Sequence, residues 1–163
     1  MLTDIGEFIV GAHLQLIEGC DVIDYNARIP GGGLKGLGEL DVIGLNFETN
    51  TAHLCEVTTH IRGLLYKDSK TTIIKIKNKH ERQKEYAKER LGNFKNHKFM
   101  FWSPVVPVGY ITENLEKIER LELVINGEYK KRIEVLRELA SKTTHDARNP
   151  FFRMLQIMEH LRE

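Results

Sequence analysis

Cysteine, proline and long apolar runs are all scarce in this sequence. Its 163 residues hold two cysteines, four prolines and one tryptophan. Cys20 and Cys55 each lie in an apolar run and form no CxxC or Cys/His pattern, so buried free thiols are favoured over a disulfide or a thiolate zinc site. The seven histidines are scattered without metal-ligand spacing. No run of about 18 or more apolar residues exists to span a bilayer. The opening MLTDIGEFIV carries acids where a secretory leader would carry bases. A cytoplasmic protein with no membrane partner is therefore expected. Net charge is nearly absent as well, at +1, but it is unevenly spread. Residues 1–56 hold nine acids against Arg28 and Lys35, whereas residues 75–98 hold nine lysines and arginines against three glutamates. One face can thus attract a cation and another an anion, although a solvated charged helix would read the same way.

What is present suffices for one domain over residues 1–163, with 41% hydrophobic residues to build a core. Residues 4–18 have helical apolar spacing, with Asp4 as N-cap and Glu7 as its capping-box partner. Strand patterns follow over 20–28 and on both sides of a turn placed at Thr49 and Asn50. A helix is expected over 71–91 and a buried strand at KFMFWS, residues 98–103. A short helix at 111–120, a strand at 121–125 and helices over 128–142 and 151–163 complete the chain. The order αβββαβαβαα predicts an α/β or α+β fold.

Two motifs dissolve on inspection. Gly31, Gly33 and Gly36 satisfy GxGxxG but lead into a strand rather than a helix, so their amides would not cradle a pyrophosphate. His80 and Glu81 begin an HExxH whose last position is Lys84. Trp102, inside FMFWS, reads as core.

The hairpin acids are harder to set aside. Strand alternation puts Asp41 and Ile43 on one face, and Leu54, Glu56 and Thr58 on one face of the next strand. A two-residue turn at Thr49 and Asn50 would set Asp41 opposite Thr58 with Glu56 diagonal to it, close enough for two carboxylates to share one cation. Two buried carboxylates need such a counter-charge, and oxygen ligands select Mg²⁺ or Mn²⁺ over zinc. At a solvent-facing sheet edge the same acids would need no cation at all.

A helix carrying Glu7, then GELD with Asp41, then CEVTT with Glu56 resembles the PD-(D/E)XK nuclease superfamily, the restriction-endonuclease-like fold. The resemblance implies a mixed β-sheet flanked by helices, with an αβββαβ core over about 4–103 and helical additions over 104–163. It further implies that Asp41, Glu56 and the Val57 carbonyl hold Mg²⁺ or Mn²⁺, with Glu7 reaching the metal through water. Glu7 remains equally readable as the capping-box residue.

The sequence departs from that pattern at Thr58, where the superfamily has a lysine that activates water and stabilises charge. Some members carry this lysine on the following helix. Here Lys75, Lys79, Arg82, Gln83 and Tyr86 share one helical stripe, and Lys79 is the preferred substitute, with Lys77 and Lys75 behind it. Gln83 and Tyr86 are similar to a Gln and Tyr of a recombination-nuclease subgroup, at a spacing of three rather than four; a solvated stripe with Tyr86 against the core is the plain alternative. Lys35, Arg62, Lys67 and Lys70 flank the hairpin. The resemblance implies a Mg²⁺-dependent nuclease acting on nucleic acid, with DNA the expected polymer and, by analogy with enzymes that cut duplexes, a homodimer. Thr58 keeps open a nuclease-fold module that binds nucleic acid or a protein partner without cutting, and a purely structural domain stands third.

Overall fold

Asp4 begins the first helix by the local code its sequence carries. Its side chain accepts a hydrogen bond from the Glu7 N–H at 3.0 Å, and Glu7 Oε2 accepts one from the Asp4 N–H at 3.0 Å, so two otherwise orphaned donors are satisfied together. The helix, α1, runs Ile5–Leu16. The structure, a computed structural model, describes residues 2–28 and 39–162. The glycine-rich segment, with Gly31, Gly33, Lys35 and Gly36, lies outside the described residues.

The remaining elements are β1 (Val22–Arg28), β2 (Glu39–Asn46), β3 (Thr51–Val57), α2 (Ser69–Arg90), β4 (Asn96–Ser103), α3 (Tyr110–Glu116), β5 (Leu121–Ile125), α4 (Asn126–Lys142) and α5 (Pro150–His160). The fold is α/β, with one five-stranded mixed sheet flanked by helices. Strands lie in the order β1-β2-β3-β4-β5. The first three are mutually antiparallel, and β3, β4 and β5 run parallel. Each parallel step requires a crossover, which α2 and α3 supply.

The hairpin register differs from the sequence expectation. The β2–β3 connection is a four-residue turn over 47–50, not a two-residue loop, and it pairs Asn46 with Thr51 and Val42 with Cys55. Asn46 Oδ1 accepts the Thr49 N–H at 2.9 Å, and Asn50 takes the left-handed φ of 52° that asparagine tolerates. One further step of this register sets Glu56, rather than Thr58, across from Asp41. Because the shift is two residues, every side chain keeps its face.

The two faces of the sheet are covered by different helices. On one face Val42, Cys55, Met100, Trp102 and Val124 pack with Val10 and Leu14 of α1 and Tyr129 of α4. Gly11 makes this close approach feasible, since a Cβ there would collide with the Tyr25 hydroxyl. On the other face Ile43, Leu54 and Phe99 meet Ala87 and Leu91 of α2, while Phe101 meets Ile76 of α2 and Ile111 and Leu115 of α3. Residues 104–162 supply the fifth strand and the outer helix α5, which packs through Phe152 and Leu155 on Ala12 and Leu136. Asn149 caps α5 by accepting the Phe152 N–H at 3.0 Å, and its Nδ2 donates to the Phe8 carbonyl at 2.9 Å.

Both cysteines are free and buried. Cys55 Sγ sits 3.7 Å from Met100 Sδ. Burial pushes the Cys20 thiol up to about 12 and the Cys55 thiol well above its usual range. Among the described residues no helix is long and apolar enough to cross a membrane.

Candidate functional site

Asp41 and Glu56 occupy adjacent strands on the face that α2 covers. Glu56 is 2% exposed, and its environment departs furthest from that of an ordinary carboxylate. Burial raises its pKa to about 8; Lys79 pulls the other way, while the charge of Asp41 adds to the rise. The β2–β3 register sets the two carboxyl-bearing residues across from one another on neighbouring strands. Asp41 is held in place because its Oδ2 accepts the Val57 N–H at 2.8 Å.

Lys79 reaches this pair from α2. Its Nζ lies 3.0 Å from Glu56 Oε2, with the lysine side chain 24% exposed and the glutamate 3%. Of the other lysines on this helix, Lys75 rests over the Tyr66 ring at 4.5 Å, and Lys77 lines a separate groove with Glu119 on the α3 side. Lys75, Asn78, Lys79 and Arg82 line a cleft of about 480 Å³, where the Arg82 Nε is buried without a hydrogen-bond partner.

Thr58 is buried and turned to structural use. Its hydroxyl donates to Ser103 Oγ at 2.7 Å and its N–H to the Trp102 carbonyl at 2.9 Å, tying the ends of β3 and β4 together.

Gln83 lies deeper than its place on the helical stripe suggests. The stripe drawn from helical spacing put it beside Lys79, but the rotation of α2 against the sheet takes it fully inside. Its Nε2 donates to the carbonyls of Leu54 and Met100, each at 3.0 Å, and its Oε1 lies 3.1 Å from His80 Nδ1. Its amide thus ties α2 to β3 and β4 from inside the core. Tyr86 packs half-buried on the Ala27, Leu40 and Ala87 cluster.

Glu7 performs the capping role and also borders the site. Burial raises its pKa, with hydrogen bonds to Asp4 and Asn26 opposing and the charges of Asp4 and Asp41 reinforcing the rise. The Asn26 amide donates to Glu7 Oε2 at 3.2 Å. Asn26 is a residue that sequence reasoning missed. It sits in β1 with a left-handed φ of 55°, at the step opposite Asp41 where the β1–β2 pairing skips from Tyr25↔Val42 to Ala27↔Leu40. An asparagine inside an apolar strand pattern is the signal that could have found it.

Among the described residues no three His, Cys, Asp or Glu side chains converge as a metal cluster. The donor set is instead the two-carboxylate kind with which magnesium is commonly held alongside water and substrate phosphate. One observation fits a cation directly: Glu56 Oε1 is buried and has no hydrogen-bond donor. The arrangement thus combines paired acids on β2 and β3 with a reachable ammonium and a cationic cleft on α2. No protein-family model, curated protein or solved structure matches this chain.

Proposed function

We propose that the protein is a metal-dependent phosphodiester hydrolase of the PD-(D/E)XK, restriction-endonuclease-like type, acting on nucleic acid, with DNA the expected polymer. The observation that carries this reading is Glu56, a buried carboxyl with one unpartnered oxygen, beside Asp41 and within ion-pair reach of Lys79. Asp41, Glu56 and the Val57 carbonyl would hold Mg²⁺ or Mn²⁺. When bound, the cation supplies Lewis acidity toward a phosphate oxygen and lowers the pKa of a coordinated water.

The chain's own groups do the rest. The Val57 N–H fixes the Asp41 carboxylate, so its donor oxygens are oriented before substrate arrives. Lys79, held against Glu56, is placed to release that contact and offer its ammonium to the charge that develops on the phosphoryl oxygens. It would thereby take over the work of the lysine absent at position 58. Lys75 and Arg82 neutralise backbone phosphates without reading sequence.

Cleavage of single-stranded, duplex and branched DNA in Mg²⁺ or Mn²⁺ tests the reading. Asp41→Ala is expected to lose at least about 100-fold in rate; equal activity in both proteins rejects the assignment.

A non-cutting module that binds nucleic acid or protein is the second reading, favoured by one specific contact. Lys79 already gives Glu56 a counter-charge, and a module of this kind would need no dication. Calorimetry with Mn²⁺ separates the two, since only the hydrolase shows metal affinity that Glu56→Gln removes.

A further inference from the structure

Next to the paired acids, the chain leaves several apolar side chains in water. Ile61 is 81% exposed, Leu65 51% and Val108 88%. They belong to the two loops that follow β3 and β4, and these loops are fastened side by side. The Leu64 N–H donates to the Val105 carbonyl at 2.9 Å, and Gly63, at a φ of 117° that favours glycine, approaches the Pro107 ring. Ile61 and Leu65 are each two residues from Gly63, and Val108 follows Pro107. Asn126 braces the second loop from both sides, accepting the Val106 N–H at 2.8 Å and donating to its carbonyl at 3.0 Å. The apolar tips therefore stand on a fixed ledge.

The charges on the first loop and its continuation are mostly positive. Arg62, Lys67 and Lys70 are exposed on the first loop and its continuation. The single acid among them, Asp68, is occupied in capping α2 by accepting the Thr71 N–H at 2.7 Å. Tyr66 joins the ledge to the cleft, since its ring packs with the Leu64 and Val106 cluster and carries Lys75 above it. Lys75 in turn lines the cleft that holds Lys79, the partner of Glu56.

We propose that this ledge receives unpaired bases, so that the preferred substrate is a nucleic acid with a single-stranded or splayed segment. Its bases lie on Ile61, Leu65 and Val108, and its phosphates lie along Lys75, Asn78 and Arg82. The inference rests on the nucleic-acid reading above. A blunt duplex exposes its base faces to an apolar ledge only when a step is unstacked at a cost, whereas an open strand presents base faces and phosphates without that cost. An apolar ledge joined through Tyr66 and Lys75 to a cationic cleft offers a surface to each.

Equilibrium binding in EDTA, read by anisotropy of a labelled single strand, a blunt duplex and a forked duplex of the same sequence, tests the proposal without cleavage. The single strand and fork are expected to bind about tenfold tighter than the blunt duplex. The double variant Ile61→Ser, Leu65→Ser should abolish that preference and leave blunt-duplex affinity unchanged. Both side chains are exposed, and a native melting curve, or the single variant Ile61→Ser, verifies that the fold is intact. Lys75→Gln with Arg82→Gln should weaken all three ligands alike and flatten the salt dependence.

Blunt duplex bound as well as the fork, a preference that survives the serine pair, or no nucleic-acid affinity would each overturn the proposal. Mn²⁺-dependent cutting that needs Asp41 but shows no preference for open strands removes the ledge and keeps the hydrolase. A preference for open strands with no cutting does the reverse.

Discussion

His13 shows at the scale of one residue what burial does to an ionisable group. It is 2% exposed, stacked edge-on against Trp102 at 5.3 Å, with its Nδ1 unpartnered. Burial lowers its pKa to about 4; Arg132 and His53 lower it further, while Glu18 and Glu128 raise it. Between the unfolded value of 6.5 and this folded value, the unfolded chain binds the proton and the native one does not. The contribution of His13 is therefore complete above pH 6.5 and is lost as pH falls toward 4, by about 3 kcal/mol at most. His13→Leu should flatten the acid limb of a plot of urea midpoint against pH; an unchanged limb would place the acid sensitivity elsewhere. Gln83 makes a separate prediction. Gln83→Leu leaves His80 Nδ1 without its partner and should cost about 2 kcal/mol in urea melts. A loss of cleavage with no loss of stability would instead assign Gln83 a catalytic role.

At the scale of the element, α2 is coupled to β3 through one ion pair and one amide. Removing Lys79 leaves Glu56 buried without its opposing charge, so Lys79→Met should destabilise by about 2 kcal/mol, less than a fully enclosed pair because the ammonium is partly wet. Lys79→Met combined with Glu56→Gln should recover most of that loss in a double-mutant cycle, and simple additivity would mean the contact is energetically idle.

What the sequence made legible divides along the same line. The Asp4–Glu7 box could be read because its code spans three residues and needs no other element. The αβββαβαβαα order could be read because apolar period and turn residues mark each piece locally. The β2–β3 register could not, since NFETNT permits several turns and the choice rests on the Asn46 side chain and the positive φ of Asn50. The error was an even step, and for that reason the Asp41–Glu56 face survived it. Gln83 was misplaced because helical spacing gives angular relations within α2 but not how the helix is rotated against the sheet.

For the molecule as a whole, α5 closes the structure onto α1. Asn149 links residues 141 positions apart while capping its own helix, and Phe152 is fully buried between the two. Asn149→Ala should therefore cost about 1–2 kcal/mol, more than an ordinary surface substitution. The loss should be the same when followed by tryptophan fluorescence and by far-UV circular dichroism if sheet and helices unfold together. Diverging midpoints would show α5 leaving first.

The seclusion of Cys20 and Cys55 has a practical corollary. Native protein should resist maleimide until it opens globally, so the labelling rate becomes a clock for unfolding. It also makes the wild-type chain a silent background for site-directed spectroscopy. A cysteine introduced at Val108 would be the sole reactive thiol, and a dye attached there could report the arrival of a ligand at that spot without any further engineering.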